Sequence, residues 1–331
     1  MAGSPPRVPT RLMPALVFFS GMAALVFQVA WFREFRLVFG SSTAASAAVT
    51  AIFMGGLGLG SAVLGPWADR VANPLKFYAV LEAAVALTAA ASPWLVDGMS
   101  TAYIALGGQT TLGIGGATVV RLVFAALVLA LPTGAMGGTL PAAVRAVTTP
   151  GDRQRRRAAV LYGVNTLGAV AGALLSTFVL LPSAGARTTL WLAALVNLGV
   201  GAAAWAISRR AVRVARDASG RAAGQQKRDR PSSLLLVYLA AGIVGFAFFL
   251  MELVWYRMLG PILGGTTYTF GLILAVALLG IGLGGAAYAI LVRRFSPSLS
   301  AFAATCSLEA ACIAAPFAAG DRLALLAARY G

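Results

Sequence analysis

The sequence predicts an all-α integral membrane protein, a bundle of about nine transmembrane helices with a cytoplasmic N-terminus. Composition, apolar runs of membrane-crossing length and the placement of the basic residues lead there. Of 331 residues, 59% are hydrophobic and only 11% charged, where a soluble domain is about 45–50% apolar and about 25% charged. Mean hydropathy is +0.84. A water-soluble core cannot absorb that much apolar surface, because even large domains leave roughly a quarter of the chain's surface exposed. A soluble enzyme is therefore excluded.

Nine apolar runs fall at 13–32, 43–66, 76–96, 113–134, 158–181, 189–207, 233–254, 266–291 and 299–319. A helix rising 1.5 Å per residue needs about 20 residues to cross a hydrocarbon core about 30 Å thick. Inside a bilayer each backbone polar group must be satisfied within the segment, so the runs read as helices. The first follows Arg7 and Arg11, exceeds the length of a signal-peptide core and lacks a clean small-residue cleavage site. It reads as a retained signal anchor.

The net charge of +16 could point to nucleic acid, but the 26 basic residues sit in short connections between apolar runs. With the N-terminus inside, nineteen of them fall in cytoplasmic segments and seven on the opposite side. That is the asymmetry that sets membrane topology. Residues 208–232 hold eight basic residues and read as a basic cytoplasmic linker. It separates a first six-helix half, 1–207, from the first three helices of a second half, 233–331. No nucleic-acid partner is expected. The chain has no His, so a His-based metal site and Ser/His or Cys/His catalysis are excluded. Cys306 and Cys312 stand six apart on one helix, facing different ways, and read as small apolar fillers rather than a disulfide. No catalytic residue, metal or cofactor is assigned.

An internal repeat appears when Trp255 is set under Trp31, an offset of 224 that aligns 21–70 with 245–294 without a gap. Gly21, Trp31, Arg33, Gly40, Thr43, Gly56, Gly58, Gly60 and Arg70 meet Gly245, Trp255, Arg257, Gly264, Thr267, Gly280, Gly282, Gly284 and Arg294. Leu81-Glu82 recurs at Leu308-Glu309 after a three-residue insertion. The offset spans six helices, an even number, so both copies enter the membrane the same way. Two parallel six-helix halves joined by a long linker is the layout of major-facilitator transporters.

Particular blocks carry a closer resemblance: Gln28-Val29-Ala30-Trp31-Phe32-Arg33, Met54-Gly55-Gly56-Leu57-Gly58-Leu59-Gly60, Leu131 to Pro141, and Leu161 to Ala169. Through them the chain resembles the membrane half of the bacterial fused major-facilitator/spermidine-synthase-like proteins. The resemblance implies a twelve-helix module in the bacterial inner membrane, followed by a cytoplasmic aminopropyltransferase-like domain. Helices ten to twelve and that domain are absent here, so no enzymatic activity is expected of this chain. Its partners would be the lipid bilayer and either other membrane subunits or the missing C-terminal half.

Within this frame the candidate solute- or cation-interacting residues are Glu82, Glu309, Glu252 and Gln28, because a carboxylate inside an apolar span is costly and marks function by default. Glu82 has an equally simple reading as the partner of Arg70 or another cytoplasmic base. Gln28, Arg33, Glu252 and Arg257 could form an exterior-facing site. Trp31 and Trp255 read as interfacial anchors, with Arg33 and Arg257 snorkelling outward. Asp69 and Arg70, in the connection after helix two, resemble a degraded major-facilitator loop signature and form a candidate gating loop, with plain charge anchoring as the alternative. Gly56 with Gly60, and Gly280 with Gly284, are four apart and read as helix-packing faces; a nucleotide-binding turn would need a preceding strand. Two functions follow. One is a transporter-like module for polyamine-type or other cationic solutes; the other is a non-transporting scaffold subunit of a larger membrane complex.

Overall fold

The computed structural model describes residues 12–39, 43–147, 154–218, 234–264, 266–291 and 298–320, with a few positions beyond. These residues form α helices α1 (Met13–Phe39), α2 (Thr43–Arg70), α3 (Pro74–Ala105), α4 (Gly108–Val147), α5 (Gln154–Leu175), α6 (Leu181–Ala218), α7 (Leu234–Leu263), α8 (Thr267–Leu291) and α9 (Leu299–Ala319). A π-helical turn, Ser176–Leu180, joins α5 to α6. No strand occurs among the described residues.

Seven stretches are long and apolar enough to cross a membrane: Met13–Leu37, Ala47–Arg70, Pro74–Ala105, Gly108–Val147, Arg157–Arg210, Ala241–Leu263 and Thr267–Tyr288. The chain is a polytopic helical membrane protein. Seven stands against nine expected runs for two reasons. The runs at 158–181 and 189–207 lie in one helical stretch of 54 residues, which would be about 81 Å long if straight. It bends instead at Gly185, whose φ of 73° and ψ of 173° leave the helical region; a side chain would strain that conformation. The ninth run gives the shorter apolar segment Ser300–Ala315.

Small residues set the packing, as they must where lipid removes the hydrophobic drive between helices. A Cβ on Gly56 would overlap Thr133 Oγ1 of α4, and one on Gly60 would overlap the Gly134 carbonyl. From the other side Gly137 meets the Leu57 carbonyl of α2. On the α1–α5 seam Gly21 rests on Asn165, Gly168 on the Phe18 carbonyl and Gly172 on the Met22 carbonyl. α3 packs between α4 and α6, and α5 packs on α8. Large apolar side chains such as Leu37, Leu59, Ile114 and Leu195, each at least 66% exposed, cover the outside. That surface suits acyl chains rather than water.

Several expectations are corrected. Gly280 and Gly284 have open space where a Cβ would stand; in α8 it is Gly271 that approaches the π-turn at Thr177 and Gly282 that approaches α5 at Thr166. The positions in contact are set by the face α8 turns to α5, not by the four-residue spacing. Asp69 and Arg70 lie in the last turn of α2, which runs on through Pro66, rather than in a loop. α6 continues to Ala218, inside the segment expected as linker; positions 219–233 lie outside the described residues. Trp31 is no interfacial anchor: it is buried and donates its indole N–H to Ser92 Oγ at 2.8 Å. Arg33 does not snorkel but donates to the Leu181 carbonyl at 3.0 Å. Trp255 is half-buried, and Arg257 is exposed as expected.

Candidate functional site

Helix directions fix which residues share a level. Along α1 and α5, Gly21 meets Asn165, Met22 meets Gly172 and Arg33 meets Leu181, so numbers rise together and the helices are parallel. Between α5 and α8, Thr177 meets Gly271 while Thr166 meets Gly282, so these two are antiparallel. A tight turn at Gly264, with φ of 93°, returns α7 into α8. α7 therefore runs parallel to α1.

Phe32 of α1, Tyr256 of α7 and Phe270 of α8 form a three-ring cluster. Phe32 and Phe270 stack with centroids 3.7 Å apart, and Tyr256 meets each edge-on at 6.2 Å. Gln28 and Glu252 stand four residues before Phe32 and Tyr256 on parallel helices, each about 6 Å further along its axis. Both are nearly sealed, at 3% and 2% exposure. Neither amide atom of Gln28 and neither carboxylate oxygen of Glu252 has a hydrogen-bond partner among the described residues. Apolar helix would be the cheaper sequence here, since an unsatisfied buried polar group costs about 1–3 kcal/mol and a charged one more.

The π-turn contributes two hydroxyls that sequence reading did not single out. Ser176 and Thr177 are fully buried and their hydroxyls have no partner among the described residues. Elsewhere Thr88, Thr133, Thr166 and Ser183 each donate to the carbonyl four residues back. Ser and Thr are so common in membrane helices that neither stands out in the sequence; the signal is the π-turn, which only coordinates reveal.

Glu82 occupies a different place. It is fully buried, and Ser20 of α1 donates to its Oε1 at 2.5 Å, with Tyr78 beside the pair. The Tyr78 hydroxyl donates to the Leu16 carbonyl at 3.3 Å. Glu82 Oε2 has no partner. The expected ion pair with Arg70 or another base is not formed among the described residues, because α3 turns Glu82 toward α1 and α6, where a Cβ on Gly201 would lie 3.4 Å from the Glu82 Cβ. Asn197, one turn before Gly201 on α6, is also buried, with Oδ1 unpartnered. Glu82 and Glu252 thus lie in separate places, one within α1, α3 and α6 and the other on α7 beside the Phe32, Tyr256 and Phe270 rings.

Glu309 is exposed on α9, away from both places. Asp69 forms an ion pair at 3.5 Å with Arg145 at the end of α4, a contact within the first six helices. Arg70 is exposed. At that same basic end Lys76 and Arg209 both lie over the Trp205 ring. The other end is tied by Arg187 to Asp97 at 2.5 Å. Cys306 and Cys312 are free. Among the described residues no three His, Cys, Asp or Glu gather as metal ligands.

Comparison with protein-family models, curated proteins and solved structures finds no match to this chain.

Proposed function

We propose that this chain is the transporter-like membrane module of a major-facilitator-type protein, similar to the membrane half of the fused spermidine-synthase-like proteins. In this reading it lies in the bacterial inner membrane with its N-terminus cytoplasmic and handles polyamine-type or other cationic solutes. The supporting observation is the pair Gln28 and Glu252. They are equivalent positions of the internal repeat, placed at one level on parallel helices, buried, and unpartnered in every polar side-chain atom. An isolated carboxylate at membrane depth is stabilised by a cation that takes the place of water. Rocking of one helical unit against the other would part the Phe32, Tyr256 and Phe270 rings and open the level of Glu252. No catalytic residue is assigned to the chain.

The test is uptake of labelled spermidine by proteoliposomes carrying the full chain. Glu252→Gln and Gln28→Leu should each lower uptake at least tenfold while leaving the yield of folded protein unchanged. Uptake equal to that of empty vesicles for the parent chain would overturn the reading.

A second reading, a scaffold subunit of a larger complex, has its own support. Glu309 is exposed and is the only charged residue of α9, and a carboxylate facing lipid costs up to about 2.5–3.5 kcal/mol by insertion scales. Protein covering α9 would remove that cost. Co-purification of a stoichiometric membrane partner, lost in a Glu309→Leu variant, would favour the scaffold.

A further inference from the structure

We propose that the π-turn and the α1–α7 pair form a binding site for a monovalent metal cation of the sodium type. Its oxygen donors are Ser176 Oγ, Thr177 Oγ1, Gln28 Oε1 and the Glu252 carboxylate. As a coupling ion this cation rests on the transport reading above; as a bound ion it does not.

Register sets the donors at a common height along the bundle, where on this proposal their side chains converge. Along the α1–α5 seam, Met22 meets Gly172 on one side of the level and Arg33 meets Leu181 on the other. Gln28 falls midway between Met22 and Arg33, and Ser176 and Thr177 fall midway between Gly172 and Leu181. Glu252 stands at the height of Gln28 on α7, which the Phe32–Tyr256 contact one turn further on brings beside α1. On the α8 side Gly271 leaves room for Thr177, since a Cβ there would overlap Thr177 Oγ1.

Two hydrogen bonds fix the turn. The Leu181 N–H donates to the Ser176 carbonyl, a five-residue π bond, and Arg33 grips the Leu181 carbonyl at 3.0 Å. π-turns inside α helices are rare and gather at functional sites. Irregular backbone at membrane depth is tolerated where it is buried or lines a cavity, and transporters use such breaks to coordinate cations. Here the turn carries two buried hydroxyls, and an amide on α1 and a carboxylate on α7 stand at its height, all without partners among the described residues.

The donor set selects the ion. All the donors are hard oxygens, which disfavours soft metals that seek thiolate or imidazole. One carboxylate balances one positive charge, whereas Ca²⁺ takes 6–8 oxygen ligands, several of them carboxylates, and Mg²⁺ keeps several waters. Gathered His, Cys, Asp and Glu of the kind that hold divalent ions are absent among the described residues.

The test uses the purified full chain in lipid nanodiscs. Sodium chloride is titrated against choline chloride at constant ionic strength while the thermal midpoint is read. Sodium should raise the midpoint by several degrees with saturation, by mass action on the folded state, and choline should not. Ser176→Ala, Thr177→Val and Glu252→Gln should each weaken the apparent sodium affinity at least tenfold, whereas Thr177→Ser, which keeps the hydroxyl, should retain it. Equal midpoints in sodium and choline would overturn the site. So would a sodium response unchanged in both Ser176→Ala and Glu252→Gln, should Thr177→Val fail to fold. A specific sodium response without spermidine uptake would sustain the site and sink the transport reading. Uptake without any sodium response would do the reverse.

Discussion

Phe32 and Tyr256 hold the same position in the two copies of the internal repeat, 224 residues apart, and their rings meet edge to face at 6.2 Å. The contact brings the two aligned segments together at one point, α1 against α7. Aromatic pairs in this geometry contribute about 0.5–1.5 kcal/mol beyond the area they bury. In a double-mutant cycle of Phe32→Ala and Tyr256→Ala, followed by unfolding in mixed micelles, a coupling of that size is expected. Strict additivity would show that the rings are neighbours without being partners.

The Ser20–Glu82 hydrogen bond joins α1 to α3 inside the first six helices. Ser20→Ala leaves a buried carboxyl oxygen without its donor, at a cost of about 1–3 kcal/mol. Ser20→Thr keeps a hydroxyl and should recover much of that loss. If Glu82 serves the architecture rather than the Glu252 level, Glu82→Gln should lower the thermal midpoint yet leave cation uptake per folded molecule within about twofold of the parent, a spread of about 0.4 kcal/mol. A collapse of uptake in properly folded Glu82→Gln would join the two places into one pathway.

Trp31 offers a test of burial against position. Its ring stacks on Phe27 with centroids 5.4 Å apart, and its N–H reaches Ser92. Trp31→Phe should cost about 1 kcal/mol for the lost hydrogen bond plus the cost of the cavity a smaller ring leaves. An interfacial anchor would lose far less. Trp255, half-buried at the equivalent repeat position, is the internal comparison: Trp255→Phe should be the milder change.

Hydropathy made the helices and their polytopic character legible, because lipid leaves the backbone no alternative and the length of a span is set by bilayer thickness. Glu82, Glu252 and Gln28 were legible as candidates for the same reason: polar groups stand out in an apolar run. What each would face was not. One-dimensional periodicity is weak in helices that are apolar on all sides, so it does not show that Trp31 and Arg33 turn inward to Ser92 and to the Leu181 carbonyl. Proximity in sequence also suggested Arg70 for Glu82, whereas the helix face decides, and it presents Ser20. The reversal at Gly185 and the π-turn before it are backbone events at residues with no distinctive side chain. They became visible only once the register of α5 against α1 and α8 was known.

The glycines separate pattern from contact most sharply. Gly56 and Gly60 repeat in the second copy as Gly280 and Gly284, and the sequence gives the two pairs equal standing. A Cβ at Gly56 or Gly60 would strike α4, whereas at Gly58, Gly280 and Gly284 it would meet nothing within 4 Å. Gly60→Ala should therefore cost about 1–3 kcal/mol through overpacking against the Gly134 backbone, which cannot rotate away as a side chain can. Gly58→Ala and Gly280→Ala should be neutral or stabilising by up to about 1 kcal/mol, since Ala is the better helix former. Thermal midpoints of the purified single variants in detergent would check the series. A Gly280→Ala loss matching that of Gly60→Ala would mean that α8 has a partner on its open face, and that face would then be the place to look for the covering chain.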